Sequence, residues 1–207
     1  RRREELLAKA AESGLRLRVR NGKQTHPIVL ARLATDTADE ASKRYLAHSA
    51  GYRAKGSMFG MSSLAGIYCR YEDQLPEDVR QAIRDQVLTY PHFLGGGTEN
   101  HVTMKRAAGL LFGERFPNDT FHHGITGRQL ASLCKGYVRD YGQRVYASSL
   151  YEYLSPVYFG VHLRPWLHVA ECSRDDETRI MARALTDWLM VDLALNTHHG
   201  VSIPPVL

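Results

Sequence analysis

Residues 127–148 read GRQLASLCKGYVRDYGQRVYAS, and their spacing decides the fold. Leu130, Leu133, Cys134, Tyr137, Val138, Tyr141 and Val145 recur at intervals of three and four, which a helix gathers onto one face. This is the clearest amphipathic run in the chain, and the flanking sequence repeats its logic. Towards the N-terminus, Gly95-Gly96-Gly97 precedes Thr98 as a helix N-cap. Met104, Ala108, Leu111 and Phe112 give the next stripe, which Pro117-Asn118-Asp119 ends. Further back, Thr37-Ala38-Asp39-Glu40 reads as a capping box opening a helix through Tyr45 and Leu46. Leu64, Ile67, Tyr68, Tyr71 and Leu75 mark a half-buried helix. Pro76 with Glu77 and Asp78 then opens another, striped by Val79, Ile83, Val87 and Tyr90. Towards the C-terminus, Ser155-Pro156 opens a helix that Pro165 should kink. Ser173 with Asp175 and Asp176 caps the last one, lined by Met181, Ala184, Leu185, Trp188, Val191 and Leu195 as far as Gly200. No convincing β-hairpin is found, and an all-α fold is expected.

Helical hairpins of similar size, without a repeat of fixed period, fit either an α-solenoid or an α/α toroid. The connections at 48–59, 91–98 and 147–156 are long and rich in Gly, Ser, His and aromatic residues, and loops of that length are usually functional. They favour the toroid. The expectation is one incomplete α/α-toroid domain over 1–207, with 1–27 as a peripheral or linker segment. Arg1 without a Met and the ending at Leu207 imply a piece of a longer protein.

Composition bounds the function. At 207 residues and 43% hydrophobic the chain can bury a core, and no window approaches the ~20 apolar residues of a membrane helix. The formal net charge of +5, with pI ≈ 9.2, suits a polyanion, either nucleic acid or an acidic polysaccharide. Apart from a basic tip (Arg1 to Arg3, Arg16, Arg18, Arg20), Lys and Arg alternate with Asp and Glu, and no nucleic-acid motif occurs. No nucleic-acid partner is expected. Cys69, Cys134 and Cys172 are isolated in apolar patterns and odd in number, so they read as buried thiols. The pairs His122-His123 and His198-His199 lack the helical spacing of metal ligands, and Asp175-Asp176-Glu177 is explained by capping. Neither a metal nor a cofactor is expected.

Three segments carry a resemblance: Gly95-Gly96-Gly97-Thr98-Glu99-Asn100-His101, then Tyr151-Glu152-Tyr153-Leu154-Ser155-Pro156-Val157-Tyr158, then Pro165-Trp166-Leu167. Together they resemble a group of bacterial proteins, often exported, with Thr-Glu-Asn-His and Gly-Glu-Trp-x-Ser-Pro-x-Tyr motifs on an α/α toroid. More distantly they are similar to alginate-lyase-type polysaccharide lyases, whose Asn-His pair and following Tyr match Asn100, His101 and Tyr158 ahead of Pro165. Tyr151 and Tyr153 stand where the first group has Gly and Trp, and Glu99 where the lyases usually have Asn. The resemblance implies a carbohydrate-active enzyme acting on an acidic oligo- or polysaccharide. Its compartment would be secreted or periplasmic, with the leader outside this sequence; oligomeric state is left open.

The residues support the chemistry on their own terms. β-Elimination from a uronate needs the carboxylate neutralised, a base for the adjacent C–H and an acid for the leaving oxygen. Asn100 suits the first task, His101 the second and Tyr158 the third, with a helix N-terminus supplying positive potential. Glycoside hydrolysis is the alternative, with Glu99 and Glu152 as the carboxylate pair. Tyr151, Tyr153 and Trp166 would offer aromatic platforms to sugar rings. Arg164, His123 and His199 would complete the substrate contacts. A plain structural role also stands, with Glu99 and Asn100 decorating a first turn and His101 a core histidine beside Met104 and Ala108. The third reading is a non-catalytic helical scaffold binding glycan or protein.

Overall fold

The apolar intervals become helices along nearly all of the chain. In the computed structural model, residues 2–12, 22–36, 39–51, 57–150, 158–198 and 201–202 are described. Among them are nine helices: α1 Arg2–Ala11, α2 Gly22–Thr35, α3 Glu40–Gly51, α4 Met58–Tyr71, α5 Glu77–Leu88, α6 Glu99–Arg115, α7 Gly127–Ser148, α8 Phe159–Cys172 and α9 Asp176–Leu195. The protein is all-α, and no described helix is long and apolar enough to cross a membrane. Among the described residues, a short antiparallel ladder, Thr197 with Ser202 and His198 with Val201, departs from the expected absence of strands. Two compact units form: 1–91 with 120–124, and 92–119 with 125–207.

In the first unit α2 packs on α1 and α4, and α3 on α5. The spacing in α4 implies a half-buried helix, but Gly60 through Tyr68 are all buried. Gly60, Ser62, Ser63, Ala65 and Gly66 fill the positions between the large residues, and side chains this small let neighbours close in on every side. The α3 cap comes from Asp39. Its carboxylate accepts the Ser42 N–H at 3.3 Å, and the Arg32 guanidinium on α2 at 2.6 and 2.9 Å. That guanidinium holds the Asp39 carboxyl far below the usual range. Thr37 and Ala38 of the expected capping box lie outside the described residues.

The second unit is a four-helix bundle. α6 packs on α7 and α8, and α9 on the same two, so α6 and α9 occupy opposite corners. A capping box starts α7: the Thr126 hydroxyl accepts the Gln129 N–H at 3.3 Å, and the Gln129 side chain accepts the Thr126 N–H at 2.9 Å. The buried face is Leu130, Cys134, Val138, Tyr141 and Val145, whereas Leu133, one position off that line, is 54% exposed. Glycines set the helix separation. A Cβ at Gly109 would stand 2.9 Å from Cys134 Sγ, one at Gly113 2.6 Å from the Gly127 carbonyl, and one at Gly127 2.1 Å from the Phe116 carbonyl. The Cys134 thiol under this contact is pushed up to about 12 by burial.

The other two helices differ from expectation in detail. α8 begins at Phe159 and runs on through Pro165; Ser155 and Pro156 lie outside the described residues. α9 buries Thr178, Ala182, Leu185, Thr186 and Leu189, while Trp188, Val191 and Leu195 of the expected stripe are 39%, 51% and 80% exposed. Apolar residues lie on several sides of this helix, so spacing alone favours the larger ones, whereas packing selects the smaller set that fits. Glu114 joins the end of α6 to the α8–α9 turn, its carboxylate accepting the Ser173 hydroxyl and the Arg174 N–H, both at 2.7 Å. Asp175 caps α9 by accepting the Thr178 N–H at 2.8 Å, and Lys135 of α7 reaches its carboxylate at 3.0 Å.

Two consequences are measurable. Gly113→Ala forces α6 and α7 apart and should cost ~1–3 kcal/mol in denaturant unfolding. Gly136→Ala, whose Cβ meets nothing, should be neutral or stabilising by up to ~1 kcal/mol. The second concerns acid. The Thr178 bonds, followed by Lys135, lower the Asp175 carboxyl from 3.8 to about 2. The group therefore adds stability that is complete above pH ~4 and disappears as pH falls through ~2. Asp175→Ala should lower stability by ~0.5–2 kcal/mol at pH 7. In thermal melts that difference should shrink steadily from pH 4 to pH 2, whereas Asp175→Asn, an uncharged cap, should lack this pH dependence.

Candidate functional site at the start of α6

The cluster begins with a glycine loop fixed by the helix it introduces. Lys105 Nζ donates to the Gly96 carbonyl at 2.6 Å, and Arg106 donates to the carbonyls of Phe93 and, at 3.0 Å, Leu94. Two cations within α6 thus hold the backbone that precedes it. Thr98 caps α6 through extended backbone, with no side-chain cap bond. Gly97 has φ +146°, and a Cβ there would lie 3.0 Å from His101 Cβ and 3.4 Å from its Nδ1. The imidazole therefore rests against a position that only glycine suits.

Successive residues of a helix point about 100° apart, so Glu99, Asn100 and His101 face three ways. Asn100 is 1% exposed, and His101 is half-buried. Glu99, its side chain 6% exposed, turns into the bundle. One carboxylate oxygen accepts the Tyr141 hydroxyl of α7 at 3.1 Å; the other faces Nε2 of the fully buried His162 of α8 at 3.9 Å. Around them lies an aromatic stack. Tyr141 is parallel to Tyr137 at 5.4 Å and to Trp166 at 5.2 Å between ring centroids. The Arg144 guanidinium sits 5.0 Å from the Tyr141 ring centroid, and Arg106 5.8 Å from that of Tyr137. The Tyr137 hydroxyl meets Thr103 Oγ1 at 3.1 Å. Burial first, and the Glu99 charge second, raise the Tyr141 phenol well above the ordinary tyrosine value. It stays protonated and serves as a donor.

Glu99, Asn100 and His101 thus share the first turn of α6. Tyr158, 39% exposed, precedes the first residue of α8, and its backbone carbonyl accepts the backbone N–H of His162, one turn on, at 2.9 Å. Arg164 is half-buried on α8, and burial lowers its proton affinity. Trp166 is a correction: it has no exposed surface and stacks on Tyr141, so its ring belongs to the core and offers no face to a sugar. His123 is in the other unit, edge-on to His122 at 5.7 Å. Tyr151, Glu152, Tyr153 and His199 lie outside the described residues. Among the described residues no group of three His, Cys, Asp or Glu side chains could hold a metal ion.

Tyr141 and His162 were missed from sequence as partners of Glu99. Tyr141 reads there as one more apolar position. Yet a tyrosine in a buried stripe needs a partner for its hydroxyl, and a histidine three after Phe159 and four before Trp166 shares their face; those two signals point to the cluster. An open groove of about 550 Å³ runs between α8 and α9, edged by Glu171, Arg179, Arg183 and Asp187, and contains none of these residues. No family model, curated protein or solved structure matches the chain.

Gly97→Ala should displace the His101 ring and cost more than ~1 kcal/mol, because the backbone there has positive φ. The His101 imidazole resonances should move. Gly96→Ala, which meets nothing within 4 Å, should leave them in place.

Proposed function

We propose that the chain is a carbohydrate-active enzyme, built on an α/α-toroid framework and secreted or periplasmic, that cleaves an acidic polysaccharide by β-elimination. One observation carries the reading: the first turn of α6 combines Asn100 and a half-buried His101 with a Glu99 anchored to two other helices. His101 takes the proton adjacent to the uronate carboxylate. The Asn100 amide donates to that carboxylate, and the exposed Tyr158 protonates the leaving oxygen. The N-terminal end of a 17-residue helix adds positive potential where the negative charge gathers.

A second reading, a binding scaffold without turnover, draws on α9, where Ile180, Trp188, Val191 and Leu195 are 39–80% exposed. Turnover separates the two. Incubated with a panel of uronate polymers, the chain should raise ultraviolet absorbance as unsaturated ends form. His101→Gln should slow that by ~10²–10⁴-fold with little change in melting temperature. Reducing ends without the absorbance would favour hydrolysis by Glu99 and Glu152 instead. Binding of a polymer with no product of either kind would favour the scaffold.

A further inference from the structure

We infer that Glu99 is a positioning residue, and that with Tyr141 and His162 it fixes the first turn of α6 and hence the orientation of Asn100 and His101. The catalytic consequence rests on the elimination reading above; the positioning does not. The Glu99 side chain is 6% exposed and turned to the bundle interior, so both of its carboxylate oxygens face protein groups. The carboxylate meets the Tyr141 hydroxyl at 3.1 Å on α7 and His162 Nε2 at 3.9 Å on α8. Tyr141 is itself immobilised between Tyr137 and Trp166, at 5.4 and 5.2 Å. A residue at the first position of a helix with two such contacts pins that turn from inside. His101, two residues on, is steadied on its other side by Gly97. The Thr98 side chain makes no cap bond, and Glu99, the first residue of the helix, ties this turn to α7 and α8.

This assignment sets Glu99 against the role of catalytic acid, and substitution distinguishes the two. Gln retains an oxygen that accepts the Tyr141 hydroxyl but cannot exchange a proton. Glu99→Ala and Tyr141→Phe should each lower turnover on the responding uronate polymer by about 10- to 100-fold, with KM little changed. The double variant should be no worse than either single one, and Glu99→Gln should retain most of the rate. The same four proteins are read by NMR at the His101 imidazole, which needs no turnover. Its resonances should shift in Glu99→Ala and Tyr141→Phe and return towards their original place in Glu99→Gln. If Glu99→Ala does not fold, Tyr141→Phe, which removes one oxygen, carries the test. A Glu99→Gln protein as inactive as Glu99→Ala overturns the assignment, as does a His101 signal unmoved in folded Glu99→Ala or Tyr141→Phe. If no uronate polymer yields product, the elimination reading fails, and the imidazole shifts still decide the positioning.

Discussion

The closeness of α6 and α7 at Gly109, Gly113 and Gly127 is the constraint from which the second unit follows. Two helices that touch backbone to backbone cannot slide without collision, so the contact sets their antiparallel register as well as their distance. Glu99 lies fourteen residues before Gly113, and Tyr141 fourteen residues after Gly127. At 1.5 Å per residue, both are roughly 21 Å from the glycine contact, which brings them opposite each other. Thr103 and Tyr137, four residues closer on each helix, meet for the same reason. The polar cluster at one end is thus a geometric consequence of glycines at the other.

The two buried carboxylates of this bundle, Glu99 and Glu114, are set against polar partners, as their desolvation requires. A buried carboxylate is tolerable when it accepts hydrogen bonds and faces polar groups, and Glu99 does both. At the opposite end Glu114 performs a comparable task. Burial raises its proton affinity, and the Arg174 N–H and Ser173 hydroxyl work against that rise. Between these two carboxylates the interior is filled by Leu111, Phe112, Val138, Tyr141 and Trp166, all at most 2% exposed.

Most of the helices were legible in the sequence because three-and-four spacing, prolines and capping residues act locally. The Thr126–Gln129 capping box, which has the ordinary spacing of that motif, was passed over in favour of Gly127 as the start of the helix. The faces were harder. In α7 the four-residue steps from Leu130 to Val138 are unambiguous, and only Leu133 is misplaced. In α9, Trp188 and Val191 compete with Leu185 and Leu189 for the interior, and the outcome depends on neighbours that one segment cannot specify. The same limit applies to the site. The Glu99-Asn100-His101 triplet is contiguous and draws notice, whereas Tyr141 and His162 reach Glu99 from 42 and 63 positions along the chain. Only packing makes them neighbours. Trp166 illustrates the converse error, since an aromatic residue near polar ones reads equally well as a sugar platform and as core.

The sulfur beneath Gly109 has a use of its own. Cys134 has no exposed surface and holds its proton tightly, so an alkylating reagent cannot attack it while α6 covers it. It becomes reactive only when the two helices part. The rate at which a thiol reagent labels Cys134 is therefore a clock for transient opening of the bundle, built into the native sequence and located at the contact that sets the helix register.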